Sequence, residues 1–480
     1  MKQTDWKIIY NKYSGISKRA INLLSREVGR FILREEMVYS IYVLPCEKEG
    51  AEVSHSAFFV SLYGESDSVR KFVAREEVPE DGFAVKVVKN PENEEGRLVF
   101  LTAHTERELF YAVTSFLDDY LPTCYPYGGA NLMPDKTFDY PLPETSYSKV
   151  SDHKKRSIFT WGHSINDFRA YIDNMARVRL NELIIWNDYI PINIDEIIEY
   201  AHSYGISVIL GYSWGWREIG NKATEITEEC IEALKEKVVE TYRRDYAPVG
   251  CDGIYFQSFT ERNEERVGGK LISELVTEMV NDIASKLWRI TPQLRLIFGL
   301  HATSVRNHLK EIALVDPKIE ILWEDCGSFP FNYASYLSDE SKYEKTLEYV
   351  DEILELRGGR GVGFAFKSVM MLDWTKKVGQ PGPYVMGENS RDIADHDLRL
   401  RRGSWRCYAS DWMRYGEYAR RTVEFINENQ LGDTTLCIAG TFDGGIYLPF
   451  ALYADMFLGI SEPYADILDR VAKRPYVKMD

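Results

Sequence analysis

Seven polar side chains stand at or just beyond the ends of predicted strands, and their types could carry out acid–base chemistry. They are His163, Gln257, Glu261, His301, Glu324, Lys367 and Asp443. Asp325 directly follows Glu324 and adds a further carboxylate. Two carboxylates that share an apolar cleft acquire different pKa values, so that one can stay protonated as an acid while the other is an anion. We therefore expect Glu261 to form a catalytic pair with Glu324 or Asp325.

Aromatic and acidic residues near the same strand ends could bind a substrate. Trp161, Trp214 and Trp216 offer large apolar faces that could stack on sugar rings. Asp188 and Asp373 lie near the predicted strand ends and could bind hydroxyl groups. These residue types together suit the recognition of a polar ring compound.

The elements that must position these residues alternate from Arg156 onward between strand patterns and amphipathic helix patterns. The predicted strands are 157–161, 182–186, 207–210, 253–256, 294–298, 319–323, 362–366 and 435–438. The predicted helices include 168–178, 194–203, 228–244, 270–288, 343–356, 448–458 and 464–471. Eight such units predict a closed (β/α)8 TIM barrel, whereas an open doubly wound sheet would not need so many regular units.

Barrel enzymes place their chemistry at the carboxyl ends of the strands, because packed side chains fill the interior below. Alternation along each strand directs Gln257, His301, Glu324 and Lys367 toward the barrel axis. Glu261 reaches the rim on the same face if strand four stays extended. A carboxylate pair facing one bound molecule in this way is what glycoside hydrolysis requires.

The first 145 residues show a different pattern and predict a small α+β domain. Strand patterns occupy 6–10, 38–44, 57–62, 83–88 and 98–102, and helix patterns occupy 17–33 and 106–120. A connector rich in Pro, Gly and Tyr spans 122–143. We therefore predict an α+β domain over 1–145 and a catalytic barrel over 146–480. The long segment 379–418 is expected to form part of the site wall or an oligomer contact.

The composition excludes several classes of protein. The chain has 480 residues, of which 45% are hydrophobic and 28% are charged, so it can bury a large core. Its net charge of -16 repels phosphate backbones and anionic lipid faces, which argues against nucleic acid and membrane partners. The sequence lacks a signal-peptide pattern and an apolar run of roughly 20 residues, so we expect a cytoplasmic protein.

Motifs for metals and common cofactors are missing from the sequence. The seven cysteines are scattered and never spaced C-x-x-C, which favours free thiols over a disulfide framework or a zinc cluster. The eight histidines show no pairing that would hold a metal. No G-x-x-x-x-G-K-[ST] loop and no H-E-x-x-H occurs. We therefore expect neither a cofactor nor a metal.

The candidate carboxylates and tryptophans also have structural interpretations. Glu261 could be a surface carboxylate that opens the charged loop 261–266. Glu324 and Asp325 could cap a helix or pair with an arginine. The tryptophans could be core residues.

The candidate bases have alternatives too. His163 and His301 could be hydrogen-bonded structural histidines. Lys367 could neutralise the carboxylates or bind a substrate anion. In a barrel aldolase or isomerase, Lys367 would instead form a Schiff base.

Blocks of the N-terminal region resemble a known kind of domain. These blocks are Asp81–Val88, Arg97–Thr102, Thr105–Val113 and Tyr120–Leu121. They resemble the small domain that precedes the barrel in the family 20 hexosaminidases and the family 67 and 115 α-glucuronidases. The resemblance implies a glycosidase with its general acid at the end of strand four, which is the position of Glu261.

Departures from these families bear on the mechanism. Family 20 enzymes have an Asp-Glu pair at the end of strand four, whereas this chain has Thr260 before Glu261. The α-glucuronidases use further carboxylates after later strands, and Glu324 or Asp325, with Asp373, could match those. Lys367 could then resemble a uronate-binding base.

Together these features predict an exo-acting glycoside hydrolase for short oligosaccharides, with homo-oligomerisation left open. Glu261 would protonate the leaving oxygen, and Glu324 would act as base or nucleophile, with Asp325 as the alternative. The residues predicted to bind substrate are Trp161, His163, Asp188, Trp214, Trp216, Gln257, His301, Lys367, Asp373 and Asp443. The rival hypothesis is a carbohydrate-binding barrel without turnover, which Thr260 favours.

Overall fold

The computed structural model of the protein describes most of the chain. The described residues are 6–32, 44–124, 142–160, 163–187, 189–219, 226–328, 330–331, 340–367, 382–440 and 443–479. Residues 38–43 of the predicted strand 38–44 and most of the predicted connector 122–143 lie outside these residues.

The N-terminal part is a six-stranded sheet with helices packed on it. Its strands are β1 (Trp6–Tyr10), β2 (Cys46–Lys48), β3 (Ser56–Leu62), β4 (Gly82–Asn90), β5 (Asn93–Ala103) and β6 (Thr145–Val150). Its helices are α1 (Gly15–Ile32), α2 (Asp67–Phe72) and α3 (Glu106–Tyr120). The strand order is β2-β1-β3-β5-β4-β6, and β4 runs antiparallel to both of its neighbours. The predicted α+β character of this region is confirmed.

Strand β6 was not predicted, and it belongs to the N-terminal sheet because it pairs with β4. Its side chains are mostly exposed, so the sequence carries little hydrophobic alternation there. The barrel begins at Arg156, a few residues after β6 ends at Val150. The division of the chain into independent units over 1–145 and 146–480 stays a prediction.

The second part is a closed parallel barrel of eight strands, which confirms the predicted (β/α)8 fold. Its strands are β7 (Arg156–Phe159), β8 (Glu182–Trp186), β9 (Ser207–Ser213), β10 (Gly253–Gln257), β13 (Leu296–Leu300), β14 (Ile319–Cys326), β15 (Val362–Phe366) and β16 (Thr435–Ala439). Short paired strands lie outside the barrel and are β11 (Arg266–Val267) with β12 (Lys270–Leu271), and β17 (Ile446–Tyr447) with β18 (Val477–Lys478).

Helices cover the barrel in the expected alternation. They are α4 (Phe168–Arg177), α5 (Ile194–His202), α6 (Glu228–Thr241), α7 (Ile272–Ile290), α8 (Leu309–Ile312), α9 (Glu340–Glu355), α10 (Arg391–Asn429), α11 (Leu448–Met456) and α12 (Tyr464–Ala472). Much of the predicted wall segment 379–418 is part of α10, which has 39 residues. Among the helices of the described ranges, none has the length and apolar character needed to cross a bilayer.

The barrel interior has a charged floor and an apolar middle layer. At the floor, Arg295 pairs with Glu182 and Glu320, and Lys155 pairs with Glu320 at 2.8 Å. The middle layer is apolar and contains Phe159, Ile184, Trp186, Ile209, Tyr255, Ile297, Leu322, Ala365, Cys437 and Ala439. A packed interior of this kind leaves only the carboxyl ends of the strands open for chemistry.

A buried ionic cluster joins the two parts of the chain. Asp118, near the end of α3, forms ion pairs with Arg177 and Arg179 of the barrel at 2.8 and 2.9 Å. Arg474, near the C-terminus, lies against Asp118 and pairs with Asp455. Buried charges need such partners, because an unpaired charge in a low-dielectric interior is costly.

Candidate active site

Strand β14 ends in two consecutive acidic residues that share a partner on the neighbouring strand. In a regular strand Glu324 and Asp325 would point to opposite faces of the sheet. The pairing of β14 with β15 shifts register between Trp323 and Cys326, and such a bulge re-aims side chains. His301, at the end of β13, contacts both carboxyl groups. The bulge therefore brings both acids to the mouth of the barrel.

Glu324 is fully enclosed above the apolar layer. Nε2 of Gln257 donates to both of its carboxyl oxygens, at 2.6 and 2.7 Å, and the hydroxyl of Tyr255 bonds to Oε1. Burial raises the pKa of Glu324 well above its ordinary value, Lys367 opposes this shift, and the charge of Asp325 adds to it. The surroundings of Glu324 therefore favour its neutral form.

The pKa of Asp325 shifts in the opposite direction. Nζ of Lys367 donates to its Oδ1 at 2.7 Å, and Nδ1 of His301 lies 3.0 Å from its Oδ2. Burial favours the neutral acid, but the charges of Lys367 and His301 outweigh it and hold the pKa of Asp325 well below its usual range. Asp325 is therefore an anion with two fixed partners.

His301 connects the two acids through its two ring nitrogens. Its Nε2 lies 3.2 Å from Oε2 of Glu324, and its Nδ1 faces Asp325. Because Asp325 is an anion, the Nδ1–H group of His301 donates to its Oδ2. We call Gln257, His301, Glu324, Asp325 and Lys367 the mouth network.

The extended conformation of β10 does not continue to Glu261. The strand ends at Gln257, and a single turn of 3-10 helix follows over Phe259–Glu261. Phe259 is buried in the core outside the barrel and does not face the mouth. The carbonyl of Thr260 accepts the N–H and Oγ of Ser304, at 3.0 and 2.7 Å. These bonds fasten the turn to the segment after His301.

Glu261 is half-buried and is held by an indole group. Nε1–H of Trp216 donates to Oε2 of Glu261 at 2.5 Å. Trp216 packs on the apolar layer and meets Trp186 edge to face, with ring centroids 6.2 Å apart. Trp186 in turn meets Tyr255 at 5.4 Å. A continuous aromatic wall therefore runs from Glu261 to Tyr255, which bonds Glu324.

Trp186 and Tyr255 lie at the site but are not among the site residues predicted from the sequence. Alternation along β10 already directs Tyr255 inward, next to Gln257. Trp186 is the last residue of β8, where barrel proteins place functional side chains. Both signals are present in the sequence, so the orientation of each residue could have been predicted from it.

The prediction that Trp214 lies on the rim is wrong. Trp214 is fully buried on the outside of the barrel, where its ring stacks on Phe256 with centroids 3.6 Å apart. Strand β9 ends at Ser213, and Gly215 adopts a φ of +109°, a conformation that glycine tolerates. The chain reverses at this glycine, so that Trp216 returns to the mouth while Trp214 does not.

Asp443 and His163 occupy positions close to the start of α4. The carboxylate of Asp443 accepts the backbone N–H groups of Asn166 and Asp167, and Arg401 lies 3.9 Å away. Burial raises the pKa of Asp443 despite these bonds. These contacts hold the segment after β7 and are separate from the mouth network. His163 is half-buried in the same segment.

Three predicted substrate-binding residues, Trp161, Asp188 and Asp373, lie outside the described residues. Across the described ranges, no group of three or more His, Cys, Asp or Glu side chains has an arrangement that could hold a metal ion. The described part of the mouth therefore offers hydrogen-bonding, charged and aromatic groups.

Comparison with solved structures identifies the fold. No family model and no curated protein matches the sequence. The structure of CpGH84B is similar with a TM-score of 0.52 and 10% identity, over 97% of this chain and 70% of that one. At this identity the likeness concerns the fold alone.

Two further solved structures are similar at lower TM-scores. BtGH115A, described as a family GH115 4-O-methyl-alpha-glucuronidase with specificity for decorated arabinogalactans, has a TM-score of 0.47 and 11% identity. A GH138 enzyme, described as targeting pectin rhamnogalacturonan II, has a TM-score of 0.48 and 10% identity. They match 95% and 99% of this chain, which spans 57% and 51% of theirs.

These findings define the class of fold. The chain consists of an N-terminal sheet domain followed by a (β/α)8 barrel, and glycoside hydrolases share this fold. The resemblance predicted from the N-terminal blocks is thereby confirmed at the level of the fold.

Proposed function

We propose that this chain is a glycoside hydrolase that releases terminal sugars from short oligosaccharides. The observation that carries the proposal is the mouth of the barrel, where Lys367 and His301 hold Asp325 as an anion and an aromatic wall connects the mouth network to Glu261. Most glycosidases combine a carboxyl group that supplies a proton with a carboxylate that acts as base or nucleophile. The fold, shared with CpGH84B, supports the same chemistry.

In this proposal Glu261 is the general acid. Glu261 is half-buried at the rim, and the indole N–H of Trp216 fixes its orientation. It would protonate the oxygen of the leaving group as the glycosidic bond breaks. The ring of Trp216 would stack on the sugar beside that bond.

Asp325 is the proposed second carboxylate. Lys367 and His301 keep it anionic, which a base or nucleophile must be. Burial raises the pKa of Glu324, which disfavours the anionic form that a base or nucleophile must have. We therefore assign Glu324 to positioning, since it holds His301 against Asp325.

The test is hydrolysis of a panel of aryl glycosides that includes an α-glucuronide and a β-N-acetylglucosaminide. Wild type should hydrolyse at least one of them. Glu261→Gln and Asp325→Asn should each lower kcat/KM by about 10²–10⁴-fold. Asp351→Asn, at an exposed position on α9, is the matched control and should leave kcat/KM unchanged. Full activity in either of the first two variants would exclude that residue from catalysis.

The products test the mode of action. If the enzyme acts on chain ends, the first product of a short oligosaccharide is a single sugar, whereas a ladder of fragments would contradict exo-action. Proton NMR of the first anomer formed assigns the role of Asp325. Retention indicates that Asp325 is the nucleophile, and inversion indicates that it activates a water molecule.

The second candidate function is a carbohydrate-binding barrel without turnover. The enclosure of Glu324 favours it, because a fully bonded internal carboxyl group can serve structure alone. Calorimetry with the same sugars separates the two functions. Binding without hydrolysis, in wild type and in Glu261→Gln alike, would support the binder and contradict the hydrolase.

A further inference from the structure

A large cleft lies between the N-terminal domain and the flank of the barrel. Its volume is about 840 Å³, within the range of about 300–1,000 Å³ that is typical of small-molecule sites. Its walls come from α1, from α4, from the segment after α5 and from the C-terminal residues around Tyr476. It shares no lining residue with the mouth network. We call it the flank cleft.

The flank cleft concentrates positive charge in an acidic protein. Its cationic lining residues are Lys18, Arg19, Arg26, Arg177 and Lys478, against the acidic Glu27 and Asp173. The whole chain carries a net charge of -16. A concave surface of one sign focuses the local field and attracts ions of the opposite sign. The cleft is therefore suited to an anion, in contrast to the chain as a whole.

Arg19 is held in place by neutral groups. Its guanidinium stacks on the ring of Tyr204 at 4.2 Å and on that of Tyr200 at 4.8 Å. Its N–H groups donate to Oγ of Ser203 at 2.8 Å and to the hydroxyl of Tyr204 at 3.1 Å. The partners that position the guanidinium are thus aromatic rings and hydroxyl groups, which carry no negative charge.

Asp173, an acidic residue of the cleft lining, is engaged by other groups. Oδ1 of Asp173 accepts the hydroxyls of Tyr200 and Tyr204, at 2.8 and 2.7 Å. Hydrogen-bonded tyrosines thus separate this carboxylate from the guanidinium. On the opposite wall, Arg177 lies 3.9 Å over the ring of Tyr476 and is paired with Asp118, so it is committed to the protein.

We propose that the flank cleft binds a small polyhydroxylated anion, either a sugar acid or a sugar phosphate. Arg19 and Lys18 would contact the anionic group, and the amide of Asn22 would bind hydroxyls. The volume suits one or two sugar rings, and the net negative charge of the chain disfavours long polyanions. The proposal does not depend on the proposed hydrolase activity.

Calorimetry tests this proposal with four probes, namely glucuronic acid, glucose 6-phosphate, glucose and inorganic phosphate. At least one of the two charged sugars should bind, and more tightly than glucose or phosphate. Arg19→Gln should weaken that binding at least tenfold. The double variant Lys18→Ala/Arg26→Ala, at two exposed positions, provides a second test if Arg19→Gln does not fold.

Two controls separate the flank cleft from the barrel mouth. Lys310→Ala removes a remote exposed lysine and should leave binding unchanged. Asp325→Asn alters the mouth network and should also leave binding at the cleft unchanged. Equal binding of inorganic phosphate and glucose 6-phosphate, no binding by either charged sugar, or full affinity in the cleft variants would overturn the proposal.

Discussion

Neighbouring residues in this barrel have opposite pKa shifts, and the cause is the set of groups that each one contacts. Glu324 is bonded by the amide of Gln257 and the hydroxyl of Tyr255, and burial outweighs the charge of Lys367 and raises the pKa of this carboxyl group. Asp325 faces Lys367 and His301, whose charges overcome the same burial. The opposite pKa shifts therefore arise from individual contacts, and single substitutions can test each of them.

Glu324→Gln should change how stability depends on pH. A glutamate in the unfolded chain has a pKa of about 4.3, whereas burial raises the pKa of Glu324 in the folded protein well above that value. Between these two values the unfolded state binds fewer protons, so the free energy of unfolding of wild type falls as pH rises, by at most about 1.4 kcal/mol per pH unit. Glutamine does not titrate, so the variant should gain stability relative to wild type as pH rises through this range.

Urea unfolding of both proteins at several pH values from about 4 to 8 measures this effect. As pH rises, the free energy of unfolding of Glu324→Gln should increase steadily relative to that of wild type. A difference that stays constant with pH would show that Glu324 ionises normally in the folded protein.

Lys367→Met should move the acidic limb of the pH–rate profile to higher pH. Burial favours the neutral form of Asp325, and the ammonium of Lys367, at 2.7 Å, supplies the main opposing charge. Without that charge the pKa of Asp325 should rise, so less of the required anion is present at acidic pH. The profile of kcat/KM measures the shift, with Lys310→Met as control. If the acidic limb lies at the same pH in wild type and in Lys367→Met, the ionisation of Asp325 does not govern the rate.

At the scale of elements, strands β13 and β14 together create the space for the mouth network. The bulge in β14 turns two successive acids toward the mouth. Gly299 on β13 leaves room for them, because a Cβ there would overlap Oε1 of Glu324 and the hydroxyl of Tyr255. The site thus depends on Gly299 in β13 and on the bulge in β14.

Gly299→Ala should therefore destabilise the protein and disturb the site. Crowding in a packed interior costs about 1–3 kcal/mol, and the added methyl group would displace the partners of Glu324. Gly403→Ala is the contrasting variant, because Gly403 lies within helix α10 with nothing near its Cβ position. That change should stabilise the protein by up to about 1 kcal/mol through helix propensity. Urea unfolding should show opposite signs, and a neutral Gly299→Ala would contradict the tight contact.

At the scale of the whole molecule, the buried ionic cluster fastens the N-terminal sheet to the barrel. Burial would raise the pKa of Asp118, but Arg177, Arg474 and Arg179 outweigh it and lower that pKa to about 2. The side chains of the cluster come from α3, from the end of α4 and from the C-terminal residues, which are distant in the chain. The two parts should therefore unfold together.

Asp118→Asn should destabilise the protein by about 3–5 kcal/mol at neutral pH, because it leaves buried arginines without their carboxylate. The contribution of Asp118 is present above the unfolded pKa of about 3.9 and is lost as pH falls toward the folded pKa of about 2. The difference in Tm between wild type and variant should therefore shrink as pH falls from 5 to about 2. Asp351→Asn is the matched control, and a pH-independent difference would contradict this account.

Local periodicity in the sequence determined the barrel, the number of its strands and the inward direction of Gln257, His301, Glu324 and Lys367. This was possible because alternation along a strand and spacing along a helix are properties of short segments. The approximate position of Glu261 also followed, since it comes directly after a strand.

Only the tertiary structure decided which of these groups meet and in which protonation state. The bulge in β14, the reversal at Gly215 that separates Trp214 from Trp216, and the arginines around Asp118 depend on strand pairing and packing between distant segments. Burial and charge partners come from those distant segments, and they set the pKa values. A local pattern therefore predicts which way a side chain points, whereas its chemistry depends on the residues that the fold places around it.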